Sequence, residues 1–162
     1  MDAVDIQLVN LLQDDCKAPL ARLGEAVGLS APSVMERIRK LEKAGVIRGY
    51  HAAIDARQVG LDITAFIGIA LNYPKENGGF EQAIADLPEI LEVHHVTGGV
   101  TLLLKVKVAN TAALERVISH LRLVEGVQRT ETMVVLSTSR ERSTLHLPDS
   151  LAAPRRARKA AE

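Results

Sequence analysis

The apolar residues at the start of the chain recur at the spacing of an α-helix. Val4, Leu8 and Leu11 fall on one face, which indicates an amphipathic helix that packs through that face. Asp2 lies just before this stretch, where its side chain can accept hydrogen bonds from the first unpaired backbone N–H groups. The pattern therefore predicts a capped helix at the N-terminus.

Two further short helices are predicted to follow. Pro19 lies in the first turn of the second helix, where a missing N–H costs little, and Gly28 can adopt the positive φ that ends a helix. Ser30 caps the third helix, whose buried stripe includes Val34 and Leu41. Three short helices with a tight turn between the second and the third are typical of a helix-turn-helix unit.

The pattern changes after Gly45, which closes the third helix. The stretch VIRGYHAAI is predicted to be a strand that leads away from the helices, and a hinge is expected near residues 56–63. The next stretch, TAFIGIAL, is apolar at successive positions. We therefore expect it to form a strand whose two faces are both covered.

The rest of the chain alternates between helices and strands. GGFEQAIADLP is predicted to be an amphipathic helix, and ILEVHHVTGGVTLLLKVKV two strands joined at Gly98 and Gly99. Asn110 caps the helix TAALERVISHLRL, and VQRTETMVVLST is the last strand. The order βαββαβ is that of a ferredoxin-like sandwich. The predicted fold class is α+β, with a helix-turn-helix domain followed by this sandwich.

Three regions are predicted along the chain. Residues 1–60 form the helix-turn-helix domain with its hinge strand, residues 61–139 form the ferredoxin-like domain, and residues 140–162 form a basic tail. The tail is rich in Ala and Pro and has no apolar periodicity after Leu151, which is typical of a disordered, solubilising end. An arm that touches phosphates without sequence preference is the alternative interpretation.

Composition narrows the class of protein. Hydrophobic residues make up 47% of the chain, which is enough for a packed core, and the net charge of zero neither favours nor excludes nucleic acid. Cys16 is the only cysteine, so an intrachain disulfide is impossible and a reducing compartment is favoured. The N-terminus is acidic where a signal peptide would be basic, and no apolar run approaches ~20 residues. We therefore expect a cytoplasmic protein without a membrane segment.

The outer face of the third helix is the first candidate for function. Opposite its apolar stripe, small polar residues come first and basic residues follow. This order suits a recognition helix, whose N-terminal residues approach base edges while longer cations reach phosphates. A basic outer face is also normal on any surface helix, so charge alone does not decide between the two interpretations.

Three stretches of the chain together resemble the Lrp/AsnC family, the feast/famine transcription regulators of bacteria and archaea. They are VDIQLVNLLQDD, LGEAVGLSAPSVMERIRKLEKAGVIRGYHAAID and HHVTGG, and the resemblance extends from about Asp2 to Thr138. It implies a helix-turn-helix domain joined by a hinge strand to a ferredoxin-like regulatory domain. It also implies double-stranded DNA as a partner and dimers that assemble into tetramers or octamers. A small effector, usually an amino acid, is expected at interfaces between regulatory domains, and no cofactor is expected.

On this resemblance the chain is predicted to be a sequence-specific DNA-binding transcription regulator rather than an enzyme. The third helix carries the residues expected at the DNA, and Arg39 is expected at the sugar-phosphate backbone of the DNA. These residues are Ser30, Ser33, Glu36, Arg37, Arg39 and Lys40.

The expected effector loop departs from the family pattern. After its VTG turn the family has a variable residue, an aromatic residue and an aspartate, whereas this chain has Gly99, Val100 and Thr101. Thr101 cannot supply the charge that would pair with an ammonium group. We therefore expect a weak or absent response to most common amino acids, and a plain hairpin turn is the alternative. The residues expected to bind an effector are Gly98, Gly99, Val100, Thr101, Thr130 and Thr132.

Two other functions stay open at this point. A sirohaem decarboxylase-like enzyme has a similar architecture, but it would need a tetrapyrrole pocket, and aromatic residues are scarce here. An architectural protein that wraps DNA with little sequence preference would suit the basic tail. The side chains available to the enzyme are His51, His94, His95, Arg116 and Arg129.

No metal site is predicted from the histidines or the cysteine. His94 and His95 are adjacent, so on a strand they point to opposite faces and cannot bind one ion together. Cys16 has no nearby Cys or His at a ligand spacing and is expected to be a half-buried thiol near the end of the first helix.

Overall fold

The computed structural model describes residues 1–72 and 79–148, which form two compact units. Residues 1–52 form a helical unit together with the described part of the C-terminal segment, residues 141–148. Residues 53–140 form a unit built on a β-sheet. The first division falls before the predicted hinge. Residues 141–148 were predicted to begin a separate tail, but the structure groups them with the helices.

The helical unit contains α1 (Ala3–Asp14), α2 (Leu20–Val27) and α3 (Ala31–Lys43). Its core is formed by Leu8, Leu23, Val34 and Ile38, which come from all three helices. The N-terminus of α1 is closed by a reciprocal capping box in which Asp2 and Asp5 each accept the other's backbone N–H. The predicted three-helix arrangement is therefore present.

The turn between α2 and α3 depends on a close approach at Gly24. The backbone N–H of Leu29 donates to the Gly24 carbonyl at 2.9 Å. A Cβ at Gly24 would collide with the carbonyl oxygen of Leu29. Gly28 lies within the same turn with φ +69°, a conformation that L side chains rarely adopt. Two glycines with different roles thus set the geometry that leads into α3.

The described part of the C-terminal segment contacts α1 through one glutamine. The Gln13 side chain donates from Nε2 to the Leu145 carbonyl at 3.0 Å and accepts the Leu145 N–H at 2.6 Å. A side-chain amide has both N–H donors and a carbonyl acceptor. It can therefore pair with the N–H and the C=O of one backbone residue, whatever side chain that residue carries. This contact explains why the first residues of the expected tail belong to the helical unit. The basic residues 155–159 lie outside the described part of the chain.

The second unit is a four-stranded antiparallel sheet in the order β2-β3-β1-β4. The helices α4 and α5 connect the strands in the order βαββαβ, so the predicted ferredoxin-like architecture is confirmed. The elements are β1 (Ile63–Leu71), α4 (Gly79–Ala83), β2 (Ile90–His95), β3 (Leu102–Val108), α5 (Thr111–Leu123) and β4 (Val127–Val134).

Both helices cover the same face of this sheet. Ala65, Ile67 and Ile69 of β1 are fully buried in a cluster that also contains Phe80 from α4 and Leu121 from α5. Cover on both faces of β1 was expected, and the helices of the single chain cover one of them. Right-handed crossovers place both helices on one side, so Phe66 and its neighbours on the other face remain partly exposed.

Three further expectations differ from the structure. The stretch from Val46 to Ile54 is not a strand, because extended backbone becomes a strand only when it is paired, and no described residue pairs with it. The α4 helix ends at Ala83, although Ile84 and Leu87 still pack against the core. Cys16 is exposed rather than half-buried. Among residues 1–72 and 79–148, no helix is both long and apolar enough to cross a membrane.

Candidate functional site

The first turn of α3 presents two serines that are linked to each other. Ser30 is the N-cap, and its Oγ accepts the backbone N–H of Ser33 at 3.4 Å. The two hydroxyl oxygens lie 2.9 Å apart, and both residues are exposed. A hydroxyl can donate and accept at once, so capping leaves each serine able to bond a further partner. The predicted small polar start of the helix is thus held in a defined position.

The outer face of α3 beyond this turn carries the predicted charged residues. Lys40 Nζ lies 2.7 Å from Glu36 Oε1, and both side chains are well exposed. The hydrogen bond from Lys40 holds the pKa of Glu36 below its usual value. Such an exposed pair is weak and exchanges readily for another partner. Arg39 is exposed, and within the described part of the chain no residue pairs with its guanidinium.

Lys43 lies on the same face, although it was not among the residues predicted from the sequence to meet DNA. It lies four residues after Arg39, so helical spacing places the two on one side. It is exposed, and no residue in the described ranges binds its ammonium group. This spacing was readable from the sequence, but the residue lies in the last turn of the helix, where a cation is also explained by the helix dipole.

Arg37 lies at the flank of this face rather than at its centre. Its Nη1 lies 2.7 Å from Asp2 Oδ2 and 2.7 Å from Asp5 Oδ1, so α3 is tied to the start of α1. The Arg37 side chain is 32% exposed and that of Asp5 only 16%. The two carboxylates raise the pKa of Arg37, while the Asp5 backbone N–H and then Arg37 lower the pKa of Asp2. Arg37 was predicted to face the DNA, and the structure shows its guanidinium engaged with α1.

A cavity of about 520 Å³ runs along this flank of α3. Ser33, Arg37 and Lys40 line it from the helix, and Met1 and Val46 line it from the neighbouring segments. Ser33 and Lys40 are both exposed where they border this cavity.

The second candidate is the loop that joins β2 to β3. The Thr101 N–H donates to the Ile69 carbonyl at 2.7 Å, and the Thr101 Oγ1 accepts the Leu71 N–H at 3.2 Å. Val100 packs over Gly68, where an added Cβ would lie 2.9 Å from Val100 Cγ1. Thr101 and Val100 thus fasten the loop to β1. The predicted Gly98, Gly99, Val100 and Thr101 lie together, and both glycines are exposed.

The other two predicted effector residues lie on the opposite face of the sheet. Thr130 and Thr132 pair with Ile69 and Ile67, whose side chains are under the helices. Thr130 Oγ1 accepts a hydrogen bond from Arg122 Nε of α5 at 3.0 Å. The structure therefore does not bring these threonines to the outer side of the β2–β3 loop.

Two charged residues of β4 lie beside the loop instead. Arg129 Nη2 donates to the Gly99 carbonyl at 3.2 Å, and Arg129 is 3.9 Å from Glu131 Oε2. Both residues pair with β1 at Ala70 and Gly68, on the face that the helices leave open. From the sequence, Arg129 was named only for the enzyme alternative, and Glu131 was not named. Alternation along β4 shows which of its residues share a face, but only the register with β1 shows that this face lies beside the loop.

The two adjacent histidines bind different partners. His94 Nε2 lies 3.0 Å from Glu92 Oε2, and His95 Nε2 lies 3.2 Å from Glu81 Oε1. Their side chains occupy opposite faces of β2, as the strand pattern predicted. Across residues 1–72 and 79–148, no cluster of three metal-binding side chains is present.

Two family models match the chain and together cover most of it. The AsnC-type helix-turn-helix domain matches residues 1–42, and the Lrp/AsnC ligand binding domain matches residues 64–145. The first match lies within the helical unit, and the second covers most of the sheet unit and continues to residue 145.

Individual relatives and solved structures agree with the family models. The HTH-type transcriptional regulator FL11 of Pyrococcus horikoshii is 34% identical and covers 90% of this chain and 95% of its own. The leucine-responsive regulatory protein of Rhizobium meliloti is 36% identical, over 84% of this chain and 89% of its own. The feast or famine regulatory protein of M. tuberculosis, solved with L-methionine, has a TM-score of 0.84 at 32% identity and covers 91% of this chain and 99% of its own. The chain belongs to the Lrp/AsnC family and is a transcription regulator of that type.

Proposed function

We propose that this regulator binds double-stranded DNA sequence-specifically through α3, as a cytoplasmic homodimer or a higher assembly of dimers. The observation that supports the proposal is the outer face of α3. Its capped start presents hydroxyls that remain able to bond, and its later turns present cations without strong partners. The residues proposed at the DNA are Ser30, Ser33, Glu36, Arg39 and Lys40, with Lys43 added.

The order of groups along α3 suggests how the contacts are divided. Ser30 and Ser33 are short, so they can contact base edges only where the helix start enters the major groove. Arg39 and Lys43 are long enough to reach phosphates beside the groove. Lys40 can exchange its exposed pair with Glu36 for a phosphate or a base at little cost, because exposed ion pairs contribute little. Two copies related by a two-fold axis would read half-sites about 34 Å apart, or a multiple of that spacing.

Replacing Arg39 and Lys40 together by alanine is expected to weaken specific DNA binding on the order of 100-fold. A base contact of Lys40 accounts for about 1–3 kcal/mol, and the loss of a phosphate contact of Arg39 weakens binding to every DNA further. Fluorescence anisotropy with DNA from upstream of the protein's own gene, and with unrelated DNA of equal length, measures the effect. Arg57→Ala with Arg116→Ala is the matched control, because it removes the same charge from exposed positions of the sheet unit.

The outcome of this experiment separates the competing functions. Parent-like specific binding by the Arg39→Ala and Lys40→Ala variant contradicts the proposed recognition face. Equal and strongly salt-dependent binding of the parent protein to both DNAs favours the architectural function. Binding to neither DNA, together with a Soret band on addition of sirohaem, favours the enzyme. The relatives named above are described as transcriptional regulators or regulatory proteins, which supports a function other than catalysis.

We further propose that an amino-acid effector binds at the β2–β3 loop through Arg129 and Glu131. The pair offers a guanidinium for a carboxylate and a carboxylate for an ammonium, and the exposed backbone of Gly98 and Gly99 lies beside it. Glu131 would thus replace the charge that Thr101 cannot supply. The M. tuberculosis regulator was solved with L-methionine, which makes that amino acid the first probe. Thr130 and Thr132 would act from the other face, by holding β4.

Glu131→Gln is expected to reduce the affinity for a stabilising amino acid about tenfold, because it removes the partner of the ammonium group. The affinity for the matching acid without an amino group should change little. Thermal shift measurements with each common amino acid detect the binding, since a ligand of the native state raises its stability. Glu115→Gln, at an exposed position of α5, is the control. If no amino acid stabilises the parent protein, this effector proposal is wrong and the weaker response expected from Thr101 holds.

A further inference from the structure

We propose that Arg37 is a positioning residue, which sets the rotation of α3 on α1 and contacts no base or phosphate itself. This inference rests on the proposed function, namely that the outer face of α3 meets DNA. It assigns to Arg37 a role different from that of Arg39 and Lys40, which are close to it in sequence.

The bonds of Arg37 complete a cluster in which every carboxylate oxygen has a partner. Asp2 Oδ1 accepts the Asp5 N–H, and Asp5 Oδ2 accepts the Asp2 N–H, both at 2.9 Å. The remaining oxygens, Asp2 Oδ2 and Asp5 Oδ1, each accept from Arg37 Nη1 at 2.7 Å. The N-terminal cap of α1 and the flank of α3 are therefore one hydrogen-bonded unit. Moving Arg37 to a phosphate would leave two neighbouring carboxylates without their cation.

The location of Arg37 makes these bonds control rotation. Val34, Ile38 and Leu41 form the buried stripe of α3, and hydrophobic contact of this kind is non-directional. Short charge-assisted hydrogen bonds at the flank of the stripe are directional. A rotation of roughly 10° about the helix axis moves a side-chain tip about 6 Å from the axis by about 1 Å. That displacement exceeds the range of distances over which a hydrogen bond to a base edge is kept.

The salt dependence of DNA binding distinguishes positioning from contact. A cation that contacts a phosphate releases counterions, so its loss reduces the slope of log K against log salt by about one. A positioning residue acts through geometry, so its loss lowers the specific affinity and leaves the slope unchanged. The test compares Arg37→Ala, Arg37→Lys and Asp5→Asn with Arg39→Ala, on specific and unrelated DNA between about 50 and 200 mM salt.

Asp5→Asn is the most informative variant. It removes a negative charge close to the proposed DNA face, so charge alone predicts tighter binding, whereas the positioning role predicts specific binding weakened by about tenfold. Asparagine keeps the size of aspartate and an acceptor for the cap, so the fold is expected to persist. The double variant Arg37→Ala with Asp5→Asn should lose little more affinity for specific DNA than Arg37→Ala alone, because the two residues act through one contact. Arg37→Lys should retain part of the specificity, since it keeps the charge but offers a different geometry.

The inference is overturned if Arg37→Ala reduces the salt slope by about one while Asp5→Asn binds specific DNA at least as tightly as the parent. Arg37 would then be a phosphate contact. It is also overturned if both variants bind specific DNA like the parent. Failure of the parent protein itself to prefer any DNA would contradict the proposed function instead. If Arg37→Ala does not fold, Asp5→Asn and Arg37→Lys carry the same comparison.

Discussion

Gly24→Ala is expected to destabilise the helical unit by about 1–2 kcal/mol and to weaken specific DNA binding. An alanine in place of a helical glycine ordinarily stabilises a protein by about 0.5–1 kcal/mol, because the unfolded chain loses freedom. Here the added Cβ meets the carbonyl oxygen of Leu29. Backbone atoms cannot turn aside as a side chain can, so the turn into α3 must shift. Overpacking of this kind costs about 1–3 kcal/mol, which exceeds the usual gain from replacing a glycine.

Hydrogen exchange and DNA anisotropy together measure this effect. Amides of α1, α2 and α3 should exchange faster in Gly24→Ala, while amides of the sheet unit keep their protection. Gly79→Ala is the control, because this glycine is also helical, a Cβ there meets nothing within 4 Å and the residue has no positive φ. A stabilised Gly24→Ala protein with normal DNA binding would show that the α2–α3 turn tolerates displacement.

Leu104→Ala is expected to cost the sheet unit about 2–5 kcal/mol, the usual range for a leucine removed from a packed core. Leu104 is fully buried at the centre of β3, where it pairs with Ile67 of β1 and Val93 of β2. The lost methyl groups leave a cavity between the sheet and its helices, and those helices cover only this one face. Amides of β1, β2 and β3 should lose protection, whereas those of the helical unit should not.

Leu103→Ala is the matched control for this prediction. Leu103 is the neighbouring residue of the same strand and pairs with Gly68 of β1 and His94 of β2. Its side chain lies on the partly exposed face of the sheet. Its replacement should cost clearly less within a single chain, because less apolar surface returns to water. Equal costs at Leu103 and Leu104 would contradict the assignment of the core to one face of the sheet. A larger cost at Leu103 in the assembled protein would indicate that a second copy covers that face.

Local periodicity was enough to identify most of the elements. The stripes of α1, α3 and α5 depend on spacings of three and four residues, and caps such as Ser30 and Asn110 act within one turn. These are short-range effects, so they are readable from the order of residues. The βαββαβ order followed from the same reasoning. The resemblance to Lrp/AsnC regulators added the function, which periodicity alone leaves open.

The errors came from elements that depend on a neighbour. The strand expected between Val46 and Ile54 requires a pairing partner that the described chain does not supply. Which face of β1 the helices of the chain cover depends on the direction in which both crossovers turn, and apolar residues on a strand do not encode that direction. Cys16 was expected to be half-buried because of its place near the end of the first helix, but it is exposed. Burial depends on which distant residues pack over a side chain.

The sequence by itself determined most of the elements and their order, the family and the polar and basic face of α3. Tertiary structure decided the roles of individual side chains within that outline. Arg37 is bonded to Asp2 and Asp5, Gln13 holds Leu145, and Arg129 reaches Gly99. Each of these contacts joins residues far apart along the chain. Their partners depend on how the packed helices and the strand register bring distant atoms within hydrogen-bond distance, which no local pattern of residues records.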